Sequence, residues 1–211
     1  MGALQGTLTY KLFYVEGELP SDLKGTFLAG IKHRAFFPLT PEDEDEERIG
    51  WVPIDRPLET EFTADKVFFN DFVNLSLRHD KYVVPSQLLK AHAGEAERAY
   101  KAQNEKKKLS KFERDDIKDM VRRQLKEQSL PRMKTIDMSW ELSEMRVRFW
   151  NQSTKMCEIF QGYFEDTFGL RIVPANPYTH AMNLGLDNVQ VERLAAVEPS
   201  QFVEGTVGVD F

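Results

Sequence analysis

The amino-acid sequence predicts an α+β protein, a mostly antiparallel sheet with packed helices and a projecting antiparallel helical hairpin at about 85–130. Three observations predict it. Runs rich in β-branched and aromatic residues recur at 6–15, 66–84, 134–150 and 170–173. Their order, strand–helix–strand–strand, helical pair, strand–strand–helix–strand, is unlike the regular alternation of a doubly wound fold. Between Pro85 and Pro131, two helical patterns follow each other across a short connection.

The elements follow in order. Residues 6–15 alternate and form a strand. Leu19-Pro20-Ser21-Asp22 opens a helix with Leu23, Phe27, Leu28 and Ile31 at helical spacing, weakened by Gly25 and Gly30. Phe37-Pro38 to Pro57 reads as a loop containing the acidic run Glu42-Asp43-Glu44-Asp45-Glu46-Glu47. Contiguous carboxylates repel one another, so a solvated loop is expected there, and such a loop makes a poor metal cage. Strand pattern returns from Lys66 to Leu77; Arg78-His79-Asp80-Lys81 then reads as a turn and Tyr82-Val83-Val84 as a short returning strand.

Pro85 suits the first turn of a helix, where its missing N–H costs nothing. Leu89, Ala93, Ala96, Tyr100 and Gln103 share one stripe of that helix. Ser110-Lys111-Phe112-Glu113 has capping-box spacing and starts a second helix, with Ile117, Met120, Val121, Gln124 and Leu125 on one face and Pro131 beyond its end. These stripes are narrow, so each helix is expected to lean mainly on the other. Strands at Lys134–Leu142 and Met145–Trp150, a helix at Thr154–Phe168, a strand at Leu170–Val173 and a polar tail complete the chain. The expected organisation is an α+β body, 1–84 and 131–211, with the hairpin 85–130 inserted.

Charge is distributed unevenly over the 211 residues. The net charge is −6, yet Lys81–Lys134 carries fifteen Lys and Arg against eight Asp and Glu, a local +7 that leaves −13 for the rest. That asymmetry suggests a basic module on a body that avoids other polyanion contacts. No run of about 18 apolar residues predicts a membrane helix. The N-terminus lacks the basic-then-apolar pattern of a secretion signal, and Gly6 stands where a myristoylation site needs Ser or Thr. The single cysteine, Cys157, is incompatible with a disulfide framework within the chain. A cytoplasmic protein is expected.

Motifs for catalysis are missing. His33, His79, His92 and His180 are scattered without zinc-ligand spacing, and neither a phosphate-cradling glycine loop nor a nucleophile elbow is present. Cys157 lies in an amphipathic helix and reads as a buried structural thiol. Asp115, Asp116 and Asp119 admit two readings, a metal-dependent nuclease cluster or, the better account, ion pairing with Lys111, Arg114, Lys118, Arg122 and Arg123 on the same helix. A non-enzymatic protein with no cofactor and no metal is therefore expected. The basic residues Lys101, Lys106, Lys107, Lys108, Lys111, Lys118, Arg122, Arg123 and Lys126 form either a solvated face or a phosphate-contacting surface. Contact of the second kind would be backbone-directed, salt-sensitive and indifferent to sequence.

Gly50-Trp51-Val52-Pro53, Val83-Val84-Pro85-Ser86, the charged helical pair, Leu130-Pro131-Arg132 and Leu170-Arg171-Ile172-Val173-Pro174 occur in an order that resembles the RdgC family of recombination-associated proteins. The resemblance runs over most of residues 6–180 and rests on order and spacing, since each motif is short. It implies a non-catalytic, sequence-independent DNA-binding protein of the nucleoid that restrains RecA-driven strand exchange, as a ring-shaped homodimer around duplex DNA. Members of the family continue beyond the position of Pro199 here, with a part that helps to close the ring. What carries over is DNA binding by the basic positions of the helical pair and by the neighbouring Arg132 and Lys134. The alternative is a protein-interaction adaptor or regulator that docks an acidic partner on the hairpin without binding DNA.

Overall fold

A computed structural model of the chain describes residues 2–3 and 9–198. The fold is α+β, as its sequence predicts. Its strands are β1 (Lys11–Glu16), β2 (Glu47–Val52), β3 (Phe68–Phe69), β4 (Phe72–Lys81), β5 (Arg132–Glu141), β6 (Arg146–Phe149) and β7 (Arg171–Pro174). They form one antiparallel sheet in the order β2-β4-β5-β6-β1-β7, with β3 also on β4. The helices are α1 (Leu23–His33), α2 (Ala64–Val67), α3 (Ser86–Gln103), α4 (Lys111–Glu127), α5 (Thr154–Phe168), α6 (Pro177–Met182) and α7 (Asn188–Ala195).

Alternation along the strands decides where the core lies. Phe13, Trp51, Leu75, Leu77, Met138, Trp140, Val147 and Phe149 are fully buried, and Phe27 and Ile31 of α1 pack with Phe160 and Phe164 of α5 in the same cluster. Aromatic contacts dominate it: Phe149 and Phe160 stack at 4.0 Å, and Trp140 meets Phe27 at 5.0 Å and Phe164 at 5.1 Å. Each such side chain contributes about 1.5–3 kcal/mol by leaving water. Gly30, which weakens the helical propensity of α1, lies where α1 meets α5. A Cβ there would collide with the Thr167 carbonyl oxygen.

Buried polar groups at this seam form a chain. Trp51 Nε1 donates to Thr167 Oγ1 at 2.9 Å, Thr167 Oγ1 donates to the Tyr163 carbonyl at 2.6 Å, and the Tyr163 hydroxyl donates to the Arg34 carbonyl at 2.8 Å. Burial pushes the Tyr163 phenol up to about 12. Cys157 is buried as expected and its thiol is likewise pushed up by burial.

Several elements differ from the sequence expectations. The loop at 37–57 contains β2, which pairs with β4 from Glu47 opposite Lys81 to Val52 opposite Ser76. Residues 34–36 cross the outer side of β2 and also bond Trp51. Gly50 permits that crossing, because a Cβ would strike the Phe36 backbone. The expected turn at Arg78–Lys81 is the end of β4 instead, and Tyr82–Val84 is not a strand. Cross-strand and local pairs hold those charged residues in the ladder: Lys81 and His79 reach Glu47 at 2.9 and 3.3 Å, while Arg78 grips the buried Asp80 and stacks 4.0 Å from Phe36. Residues 64–67, at the start of the expected strand, are helical. The polar tail folds α6 and α7, each begun by a capping box, Asn176 with Thr179 and Asp187 with Gln190. Residues 6–8 of the first expected strand and the last part of the tail lie outside the described residues.

Candidate nucleic-acid interface

Helices α3 and α4 share a small apolar cluster, separate from the main core, of Leu89, Leu109, Ile117 and Val121, with Val84, Ala96, Tyr100 and Leu125 against it. Three residues expected on the apolar stripes, Gln103, Met120 and Gln124, are exposed, and Leu109 from the connection takes part instead. The Ser110 capping box forms as its spacing predicts: Glu113 N–H donates to Ser110 Oγ at 3.2 Å, and Ser110 N–H to the Glu113 carboxylate at 2.8 Å. Glu113 also pairs with Lys106. The Lys106 ammonium, together with the Ser110 backbone N–H, holds the Glu113 carboxyl down at about 2.

That pairing divides the basic candidates. Lys106 is engaged, whereas Lys107, Lys108 and Lys111 are exposed and, among the described residues, enter no ion pair. Lys101 is half-buried on α3. Arg132 and Lys134 open β5 opposite Lys81 and His79, and both are exposed. The pairing expected of Asp115, Asp116 and Asp119 is not formed: among the described residues these carboxylates have no ion-pair partner. Nor do any three His, Cys, Asp or Glu among the described residues group to hold a metal ion.

The strongest concentration lies along one side of α4. Arg114, Lys118, Arg122 and Lys126 recur every fourth residue, which places them on one ridge of the helix about 18 Å long. With Arg123 they line one wall of a groove of about 1300 Å³, whose floor includes Leu89, Ala93 and Gly94 of α3. Arg114 and Lys90 also line this groove and were missed among the candidates; the four-residue spacing was the available signal for Arg114.

Across the groove stands the acidic run, with Glu42, Asp43, Glu44 and Glu46 in its wall. Its carboxylates are mostly exposed, but its backbone is fastened rather than free. Lys126 Nζ donates to the Asp43 carbonyl at 2.6 Å and approaches the Asp45 carbonyl at 3.4 Å, with its ammonium 5.1 Å from the Tyr82 ring. Arg48 pairs with Asp43 at 3.2 Å and reaches Asp45 at 3.9 Å. Thr40 donates its N–H to Asp43 at 2.7 Å; this bond first, and Arg48 after it, holds the Asp43 carboxyl below the usual carboxylate range.

Among known proteins, the chain matches no family model, and no curated protein matches it closely enough to count as a relative. Among the described residues no helix is long and apolar enough to cross a membrane.

Proposed function

We propose that the chain is a sequence-independent DNA-binding protein that uses the α3–α4 hairpin to contact phosphates, acting in recombination or replication. The observation that carries this reading is the ridge Arg114, Lys118 and Arg122, continued by the exposed Lys107, Lys108 and Lys111, whose cations have no carboxylate partners among the described residues. Unpaired, exposed cations in a row suit a polyanion, and release of its counterions drives their binding. None of them is buried in a shaped pocket that could read base edges, so contact follows the backbone. The RdgC-like order of motifs supports the same reading, and with it a homodimer, a preference for duplex and restraint of RecA-type strand exchange.

Fluorescence anisotropy with duplexes of unrelated sequence tests it. Reversal of Lys118 and Arg122 to Glu is expected to weaken binding to every duplex by a similar factor, at least about tenfold at low salt. Equal affinity of that variant and the native chain would refute the reading.

A second reading, a protein-interaction adaptor without DNA binding, draws on exposed Phe112 and Met120 beside these cations on α4. It would be favoured by a protein that stays on the immobilised chain after nuclease treatment and is lost with Phe112→Ser.

A further inference from the structure

The acidic run and the basic ridge of α4 line the same groove, although Asp43 and Lys126, which bond there, are 83 residues apart in the chain. A segment of contiguous carboxylates beside a row of unpaired cations is what a bound polyanion would itself present. We propose that Glu42–Glu46 is an autoinhibitory strap, an internal polyanion that competes with nucleic-acid phosphates for the α4 ridge. The inference rests on the phosphate-contacting role proposed for that ridge.

The strap is held at Asp43, Asp45 and Glu46. Arg48 holds the Asp43 and Asp45 carboxylates from the β2 side, and the Tyr82 N–H donates to the Glu46 carbonyl at 2.9 Å. Lys126 reaches over from α4, and it bonds the backbone carbonyls of Asp43 and Asp45 instead of their side chains. Among the described residues Glu42, Glu44 and Glu46 form no ion pair, so their charge is left to act on Arg114, Lys118 and Arg122 across the groove. Opposite charges lining one groove attract each other most where they lie within about one Debye length, and they reduce the potential that an incoming phosphate meets. Lys126 therefore acts as a positioning residue for the strap, in contrast to the phosphate contact expected of it from sequence.

The test compares two triple variants of the full chain with equal change in charge. One neutralises the strap (Glu42→Gln, Glu44→Gln, Glu46→Gln); the other neutralises exposed glutamates remote from the groove (Glu18→Gln, Glu158→Gln, Glu165→Gln). Duplex affinity is read by anisotropy at about 50 mM salt, where exposed charges are weakly screened. The strap variant is expected to bind at least about fivefold more tightly than the control variant, and Lys126→Met is expected to bind no more weakly than the native chain. Equal affinities of the two triple variants, or a loss of affinity in Lys126→Met matching that of Arg122→Met, would overturn the strap while leaving DNA binding intact. No binding by any of the chains, strap variant included, would overturn the ridge reading and the strap together.

Discussion

Gly30 and Thr167 meet closely where α1 packs on α5, with the Trp51 indole hydrogen-bonded to Thr167 beside them. A methyl group at position 30 must push the α5 backbone away from α1. Gly30→Ala is therefore expected to lower stability by about 1–3 kcal/mol in a urea or thermal melt, despite the better helix propensity of alanine. Thr167→Val leaves the Trp51 N–H buried without an acceptor and is expected to cost about 1–3 kcal/mol. Glu113 is a different kind of residue, exposed yet strongly tuned. Its carboxyl, held at about 2 in the folded chain, lies below the ordinary 4.5, so its contribution is present above 4.5 and lost as pH falls toward 2. Lys106, raised by the same partner, shares that contribution wherever Glu113 is ionised and loses it as pH rises through its own raised value. A carboxyl NMR titration of Glu113 is expected to show a midpoint near 2; a midpoint near 4.5 would mean that the capping network is not formed in solution.

At the scale of elements, the hairpin has a cluster of its own, and Lys126 ties it to the acidic run and Tyr82 rather than to a strand. Hydrogen exchange is expected to show α3 and α4 opening together while the amides of β4 and β5 stay protected. Ser110→Ala is expected to destabilise that opening unit by about 1 kcal/mol without changing exchange in the sheet. Legibility of the elements followed the locality of the signals. The start of α4 could be read because Ser110 and Glu113 act within four residues, and α5 because its amphipathic run has a helical period. Strand β2 was hidden because only the second half of it is apolar, and its Glu47 and Arg48 continue an acidic run whose pairing partner, β4, is about 30 residues away. The end of β4 was misread for a related reason: Arg78–Lys81 has the composition of a turn, and its ladder is held by partners in β2 that no local pattern reveals. In the tail, the caps Asn176 and Asp187 were visible as residue types but open helices with no buried side chain, so no apolar stripe announced them.

Across the whole molecule, charge is segregated in sequence and then brought face to face in space. The +7 segment was legible by counting, but Arg114, Lys118 and Arg122 were expected to pair with Asp115, Asp116 and Asp119, so their unpaired state was not. The contact of Lys126 with the Asp43 carbonyl was not legible, because it joins residues 83 apart in the chain. On the proposed reading, affinity for a polyanion is set by a contest between two surfaces of the same chain. The most direct measurement is the dependence of duplex affinity on salt for the native chain. If the ridge and its neighbouring lysines contact phosphates, log affinity falls linearly with log salt, with a slope steeper than about −3, as expected for four or more contacts at about 0.9 each. A slope near zero, or no binding at about 50 mM salt, would contradict the account.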